Sequence, residues 1–365
     1  MIVESLKLTN FRLYESLDIK LNPKTNILYG KNAQGKTTVI EALNVIGLTK
    51  SHKTNKDKDL IKNGAEYAKI NALINLKEKD IQLDIILSKV GKKAKYNQIE
   101  LERLSDYIGL LNVVMFAPED LELIKGNPQT RRKFLDLEIG QISKEYLYNL
   151  QNYKKVLKQR NDLLKSLQSK QEKDLMLLDI ITDQLIEYLK IIVEMRKEFI
   201  GEIQSLASTI YKDISNSNQK LKIEYIPSVE KNYKEEFSNK YQYDIITSTS
   251  NIGAHRDDIE FYLDDFLIKT HGSQGEVRSA VLSTKLALVE FIYKYKKEYP
   301  ILLLDDVLSE LDMSRQNNLI KYINNKTQTI ITTTDLKDVN LEKIENYSVY
   351  LVQEGIIKES DNNGK

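Results

Sequence analysis

The sequence contains no cysteine. That absence excludes disulfides, zinc ribbons and thiol catalysis together. Histidine is scarce: His52, His255 and His271 are scattered, so a histidine-rich metal cage is not expected. No run approaches the roughly 20 apolar residues that span a bilayer. The opening Met1-Ile2-Val3-Glu4-Ser5-Leu6-Lys7 lacks a basic segment followed by an apolar block, so no signal peptide is expected. An excess of one charge is also missing, with 54 Lys and Arg against 53 Asp and Glu. Contact with a polyanion must therefore come from a local patch, not from the net charge of +1. What is present is a globular composition over 365 residues, 41% hydrophobic and 29% charged. Two lobes, or one α/β domain with an insertion, are expected in a soluble, cytoplasmic protein without membrane contact.

Both ends of the chain read as α/β. Leu6 to Phe11 alternates as a strand, and Asn26 to Tyr29 is a short strand running into glycine. Ile70 to Leu76 and Ile81 to Leu87 form a strand pair across the charged turn Lys77-Glu78-Lys79-Asp80. Ile301 to Leu304 and Thr329 to Thr332 read as buried strands. Between them, from about Thr130 to Ser217, proline disappears and glycine is sparse. Leu150, Leu157 and Leu164 recur every seven residues, and Leu178 to Ile203 follows three- and four-residue steps. This periodicity predicts amphipathic helices with charge on their outer faces.

Gly30-Lys31-Asn32-Ala33-Gln34-Gly35-Lys36-Thr37 fits the phosphate-loop pattern G-x-x-x-x-G-K-[ST]. Glycines let successive N–H groups converge on phosphate oxygens. Lys36 supplies positive charge near the β- and γ-phosphates, and the Thr37 hydroxyl is placed to ligate Mg²⁺. A helix must begin there so that its positive end faces the anion. Val39, Ile40, Leu43 and Ile46 mark one face of that helix, with Gly47 as its expected stop.

Such a loop needs a carboxylate at the end of a neighbouring strand. Leu302-Leu303-Leu304-Asp305-Asp306 supplies two, Asp305 toward the metal and Asp306 toward an attacking water. Lys36 and Asp305 lie 269 positions apart. A compact nucleotide-binding core does not need that distance, so an inserted helical arm is expected. The expected core is residues 1–120 with 245–365, and the arm is 121–244.

Further motifs carry a family resemblance. Lys269 to Arg278, with Ser273-Gln274-Gly275-Glu276, resembles the signature motif of ABC-type ATPases. Asp305 to Asp312 resembles their joined Walker B and D-loop, and Thr332-Thr333-Thr334-Asp335 their switch strand. With Leu8-Thr9-Asn10-Phe11-Arg12, Phe116 to Leu121, Lys125 to Pro128, Arg131 to Asp136 and Gly253 to Asp258, the order resembles the bacterial RecF family, SMC-related ATPases of DNA replication and repair. Two positions depart from the pattern: Ala254 replaces a usual proline, and the signature reads Ser-Gln-Gly-Glu.

The resemblance implies an α/β, ABC-type P-loop ATPase core (mixed sheet with helices) carrying an inserted α-helical arm. It implies that ATP is cradled by Gly30, Lys31, Asn32, Ala33, Gln34, Gly35, Lys36, Thr37 and Thr38, with Arg12 touching the nucleotide. Thr37 and Asp305 would serve Mg²⁺. Lys36 and Asp306 would be catalytic, with Ser273 completing the site in trans in an ATP-dependent homodimer. Gln274 and Gly275 would flank Ser273, Asp312 would couple the two sites, and Thr334 would sense the nucleotide. Asp306 stands where ABC ATPases carry glutamate, so slow hydrolysis is expected. His255 and Arg256 read as a turn.

The implied function is ATP-dependent DNA binding in recombinational repair and replication restart. The dimer would clamp double-stranded DNA at gaps or single-strand junctions, with weak DNA-dependent ATP hydrolysis, helping RecO and RecR load RecA. The alternative is a nucleotide-gated scaffold in which hydrolysis is dispensable. Candidate phosphate contacts are three basic clusters: Lys50, His52, Lys53, Lys56, Lys58 and Lys62; Arg131, Arg132 and Lys133; and Lys154, Lys155, Lys158 and Arg160.

Overall fold

The computed structural model describes residues 1–169, 175–324 and 326–360. They divide into two compact units. One comprises residues 1–120, 209–218 and 279 onward; the other comprises 121–208 and 219–278. No helix among the described residues is long and apolar enough to cross a membrane.

The chain opens with β1 (Ile2–Phe11), β2 (Tyr14–Lys20), β3 (Thr25–Tyr29) and α1 (Lys36–Leu48). Next come β4 (Tyr67–Asn75), β5 (Asp80–Ser88), β6 (Gly91–Tyr96), β7 (Ile99–Glu100), α2 (Leu104–Tyr107) and β8 (Val113–Phe116). The middle holds α3 (Glu122–Lys125), α4 (Pro128–Gly140), α5 (Lys144–Gln168) and α6 (Leu175–Ser215). After them follow β9 (Leu221–Ile226), α7 (Tyr233–Thr247), β10 (Asp258–Leu263), β11 (Phe266–Leu267) and α8 (Ile268–His271). The chain then runs through α9 (Gln274–Lys296), β12 (Ile301–Asp305), α10 (Met313–Ile323), β13 (Thr329–Thr333), β14 (Tyr347–Gln353) and β15 (Ile356–Glu359).

The first unit contains two six-stranded sheets. One is antiparallel in the order β2-β1-β4-β5-β6-β7. Its inward side chains alternate, as Ala68, Ile70, Ala72 and Ile74 do along β4. The other runs β15-β14-β3-β13-β12-β8, parallel except for β15. Its central strands are buried on both faces, which explains continuous runs such as Ile301 to Leu304. Helix α1 packs on β1, β4 and β5 of one sheet and β8, β12 and β13 of the other. It is consequently buried around its whole circumference, not on the single face expected. Gly47 lies inside α1 and does not end it. A Cβ there would come within 2.4 Å of the Val113 side chain, so the glycine admits a close helix–strand approach. The helix ends instead at Thr49, which adopts the left-handed conformation.

The second unit contains helices and a three-stranded sheet, β11-β10-β9. Residues 245–278 fall in this unit because β10 pairs along its length with β9. A purely helical insertion is therefore too simple a description: Leu221, Ile223 and Tyr225 alternate in β9 and pair with β10. Helix α6 has 41 residues, about 60 Å at 1.5 Å per residue. Helix α5 is shorter, at 25 residues, and begins at a Ser143 N-cap whose hydroxyl accepts from the Tyr146 N–H.

Two arginines organise this unit from inside. Arg160 on α5 is fully buried; it donates to Thr182 Oγ1 at 2.9 Å, Asp244 Oδ2 at 2.8 Å and Ser250 Oγ at 2.7 Å. Its guanidinium also lies 5.2 Å from the Phe237 ring. Arg196 on α6 donates to Tyr146 Oη, the Ala254 carbonyl, Asp257 Oδ2 and Asp136 Oδ1, all at 2.8–2.9 Å. Buried charges are costly unless paired, and Asp244 for Arg160 and Asp136 with Asp257 for Arg196 supply the counter-charges.

Candidate nucleotide site

The P-loop follows β3 at the carboxyl edge of the parallel sheet, and α1 begins at Lys36. Gly30 has φ of 150°, and a Cβ there would lie 2.3 Å from the Val352 carbonyl oxygen. The loop is thus seated against the β14–β15 turn, whose Glu354 N–H donates to Gln34 Oε1. Tyr14 Oη donates to the Gly35 carbonyl at 3.2 Å. Lys31, Asn32 and Ala33 are exposed, while Thr37 and Thr38 are half-buried at the first turn of α1. Lys36 is buried; its ammonium donates to the Gly30 carbonyl and, at 2.8 Å, to that of Lys31. Burial lowers its pKa, with Asp306 and Asp305 opposing.

Asp305 closes β12, one strand removed from β3, and β13 lies between them. Its Oδ1 accepts from Thr37 Oγ1 at 2.9 Å and from Thr332 Oγ1 at 2.7 Å. Thr332 is the direct cross-strand neighbour of Asp305. Its hydroxyl also accepts from the Asp306 N–H at 3.0 Å. Thr332 is therefore the organising residue of the acidic side, a role the sequence reading did not assign. No signal in the sequence marks it, because the position of β13 between β3 and β12 is set by the sheet order. Thr334 lies past the end of β13, exposed, beside a cleft of about 510 Å³ with Gly30, Lys31, Gln34 and Asp335.

Asp306 adopts a left-handed backbone, φ 54°, which aspartate tolerates better than most residues. Its Oδ1 accepts from Ser309 Oγ at 3.0 Å. Asp312 caps α10, accepting from the Arg315 N–H at 2.9 Å, and that hydrogen bond holds its carboxyl below the usual range. Arg12 sits at the β1–β2 turn with φ of 54°. Its guanidinium grips Glu41 of α1 through two hydrogen bonds, at 2.9 and 2.7 Å, and donates to the Asp59 carbonyl at 2.9 Å. Burial raises the Glu41 pKa, but the Arg12 and Ser51 hydrogen bonds outweigh it and leave the carboxyl lowered.

In the second unit, Ser273 precedes α9 and is exposed, as is Gln274; Gly275 is half-buried. The Glu276 N–H donates to Ser273 Oγ at 3.3 Å, and Glu276 Oε2 accepts from the Ser273 N–H at 2.8 Å. This reciprocal pair is a capping box. It gives Glu276 a structural reason to stand in the signature. His255 belongs to a turn, as expected: its Nε2 donates to the Ser250 carbonyl at 2.9 Å, and its Nδ1 accepts from Tyr153 Oη at 2.8 Å. Burial lowers its pKa to about 4, so the ring is neutral.

The basic clusters need correction. Arg131 is buried and holds both oxygens of Asp258, at 2.6 and 2.9 Å. Arg132 donates to the Asp257 carbonyl at 2.7 Å. Arg160 is sealed in the core, and Lys154 pairs with Asp136 at 3.0 Å. Lys133, Lys155 and Lys158 of these two clusters remain exposed. In the first cluster Lys50, Lys53, Lys56 and Lys58 are exposed, whereas His52 turns inward.

A P-loop on β3, an acid on β12 and a threonine relay on β13 define an ABC-type ATPase head. Residues 2–358 match the RecF/RecN/SMC N-terminal domain model. The chain is 44% identical over 368 residues to the DNA replication and repair protein RecF of Oceanobacillus iheyensis, covering 98% of this chain and 100% of that one. The solved structure of the recombination mediator protein RecF with ATP, from the RecFOR pathway, is 29% identical, with a TM-score of 0.91 and coverage of 98% and 97%. An Smc head domain from Pyrococcus furiosus, bound to the C-terminal domain of ScpA, has a TM-score of 0.57 at 19% identity, covering 98% and 96%, a likeness of fold alone. The chain belongs to the RecF family.

Proposed function

We propose that this protein is an ATP-switched DNA-binding protein of replication and recombinational repair, with ATP held in its P-loop. The observation that carries the reading is the hydrogen-bonded set Thr37–Asp305–Thr332 beside the buried Lys36. Lys36 would exchange loop carbonyls for phosphate oxygens. Thr37 Oγ1 and Asp305 Oδ1 are hard oxygen donors 2.9 Å apart, and such donors fit Mg²⁺. When bound, Mg²⁺ neutralises phosphate charge. Asp306 would hold the attacking water and receive its proton.

Ser273, at the exposed N-terminus of α9, would complete the site of a second copy, because a helix start is an anion-binding position. ATP then joins two copies, and its hydrolysis releases them. The dimer would hold DNA at gaps and single-strand junctions, using exposed lysines such as Lys53, Lys56 and Lys58. The RecFOR pathway named for the ATP-bound relative supports RecO and RecR as partners, and the family resemblance extends this to the loading of RecA.

The short Asp306 side chain, tied to Ser309, favours slow turnover and keeps a second reading open, a scaffold gated by ATP binding alone. DNA-binding assays on Lys36→Ala and Asp306→Asn test both. Lys36→Ala should lose ATP-dependent DNA binding; binding at wild-type strength sinks the switch. Asp306→Asn should slow ATP turnover while retaining DNA binding. If it also fails to load on DNA, hydrolysis is required and the scaffold reading falls.

A further inference from the structure

His52 lies just beyond α1, in a segment whose path is fixed by other residues. Asn44 Nδ2 donates to the Lys50 carbonyl at 2.9 Å. Ser51 Oγ donates to Glu41 and accepts from the N–H groups of Lys53 and Thr54 at 3.0 and 3.2 Å. Thr54 Oγ1 in turn donates to Asp59 at 2.8 Å. The imidazole takes no part in this scaffold. Both its ring nitrogens are sealed from solvent, and neither has a hydrogen-bond partner among the described residues. Native proteins seldom leave a buried donor and acceptor of one side chain both unpaired, so this ring is available to bond a water or a ligand's shell.

The surroundings identify that ligand's chemistry. The charged groups acting on His52 are Glu41, Asp305, Glu119 and Lys53, three of them carboxylates. Asp305 is the residue on which the proposed cation site rests. Glu41 is already held by Arg12 and Ser51. An anion would be repelled by this set, whereas a cation with its waters would be welcomed. Burial also outweighs the carboxylates and lowers the His52 pKa, leaving a neutral ring with one N–H and one acceptor nitrogen.

From these observations we infer that His52 is a positioning residue for the divalent cation that accompanies the nucleotide, accepting a hydrogen bond from a water in the cation's hydration shell. It does not touch the reacting atoms. It would hold a water of the cation's shell, while Thr332 holds Asp305. This assignment rests on the nucleotide reading above.

The test is titration of the full-length protein with a fluorescent ATP analogue, once with Mg²⁺ and once with EDTA. The proteins compared are wild type, His52→Phe, His52→Gln and Lys36→Ala. His52→Phe should lose affinity about tenfold with Mg²⁺ and change less than about twofold in EDTA, the size expected for an outer partner of a metal site. His52→Gln, which keeps a hydrogen-bonding end, should recover most of the loss. Two results overturn the assignment. An equal loss with and without Mg²⁺ would place the ring on the nucleotide itself, and an unchanged Mg²⁺ effect would leave it without a role at the cation. Nucleotide-free His52→Phe should melt no lower than wild type, because only unpaired polar atoms are removed. A clear drop would mean that the ring serves the fold, and would also overturn the assignment. If wild type and Lys36→Ala bind the analogue alike, the P-loop reading fails first, and this inference goes with it.

Discussion

At the scale of single residues, a threonine hydroxyl holds both acids of the site in place. Thr332 Oγ1 donates to Asp305 and accepts from the Asp306 N–H. Thr332→Val keeps the shape and removes both hydrogen bonds. It should cost about 1–2 kcal/mol in urea unfolding, the usual size for a lost buried hydrogen bond. Mg²⁺-dependent ATP affinity should fall about tenfold, and Thr332→Ser should restore it. Wild-type ATP affinity in the valine variant would show that Asp305 needs no such orientation. Lys36, Thr37 and Asp305 were legible because their spacing is a chemical requirement. Thr332 was not, because threonine on a β-strand is ordinary by propensity. Only the pairing register gives it Asp305 as a neighbour.

Elements show where a local pattern is overruled by what packs on it. The Gly47 position follows from the approach of β8, not from helix termination. Arg131, Arg132 and Arg160 look like a solvated charged face in one dimension and become internal cross-links in three. The turn at His255 adds a measurable consequence. Its ring, buried between Tyr153 and the Ser250 carbonyl, titrates near 4, against the usual 6.5 in an unfolded chain. The unfolded chain therefore binds the extra proton first as pH falls. The stability contributed by neutral His255 is fully present above about 6.5 and is lost progressively down to about 4. The loss amounts to about 3 kcal/mol. Urea unfolding between pH 7 and pH 4 should show this slope, and His255→Gln should flatten it. A slope unchanged in the variant would assign the acid sensitivity to other groups.

At the scale of the whole molecule, the site of one chain is proposed to be completed by a second copy. Ser273 has two duties in that scheme, capping α9 and meeting a phosphate in trans. Two variants separate them. Ser273→Ala loses the cap and the hydroxyl, whereas Ser273→Asn keeps a good cap residue but changes the contact group. Sedimentation with ATP and Mg²⁺ should show a dimer for wild type, strengthened by gapped DNA, and monomers for both variants. Each monomer should still bind ATP. A dimer restored by asparagine would mean that only the cap matters, and a dimer in both variants would remove the trans contact.

The sequence by itself determined the P-loop, its acidic partner, the α/β ends and the helical periodicity of the middle. These depend on spacing along the chain, and spacing survives without a fold. Tertiary structure decided which charges are surface and which are core, that β9 and β10 form a sheet within the second unit, that Thr332 bonds Asp305, and that the His52 ring nitrogens are buried. Each of those outcomes depends on residues that are distant in sequence and brought together by packing. Burial then turns an ordinary threonine, histidine or arginine into a group that must find a partner.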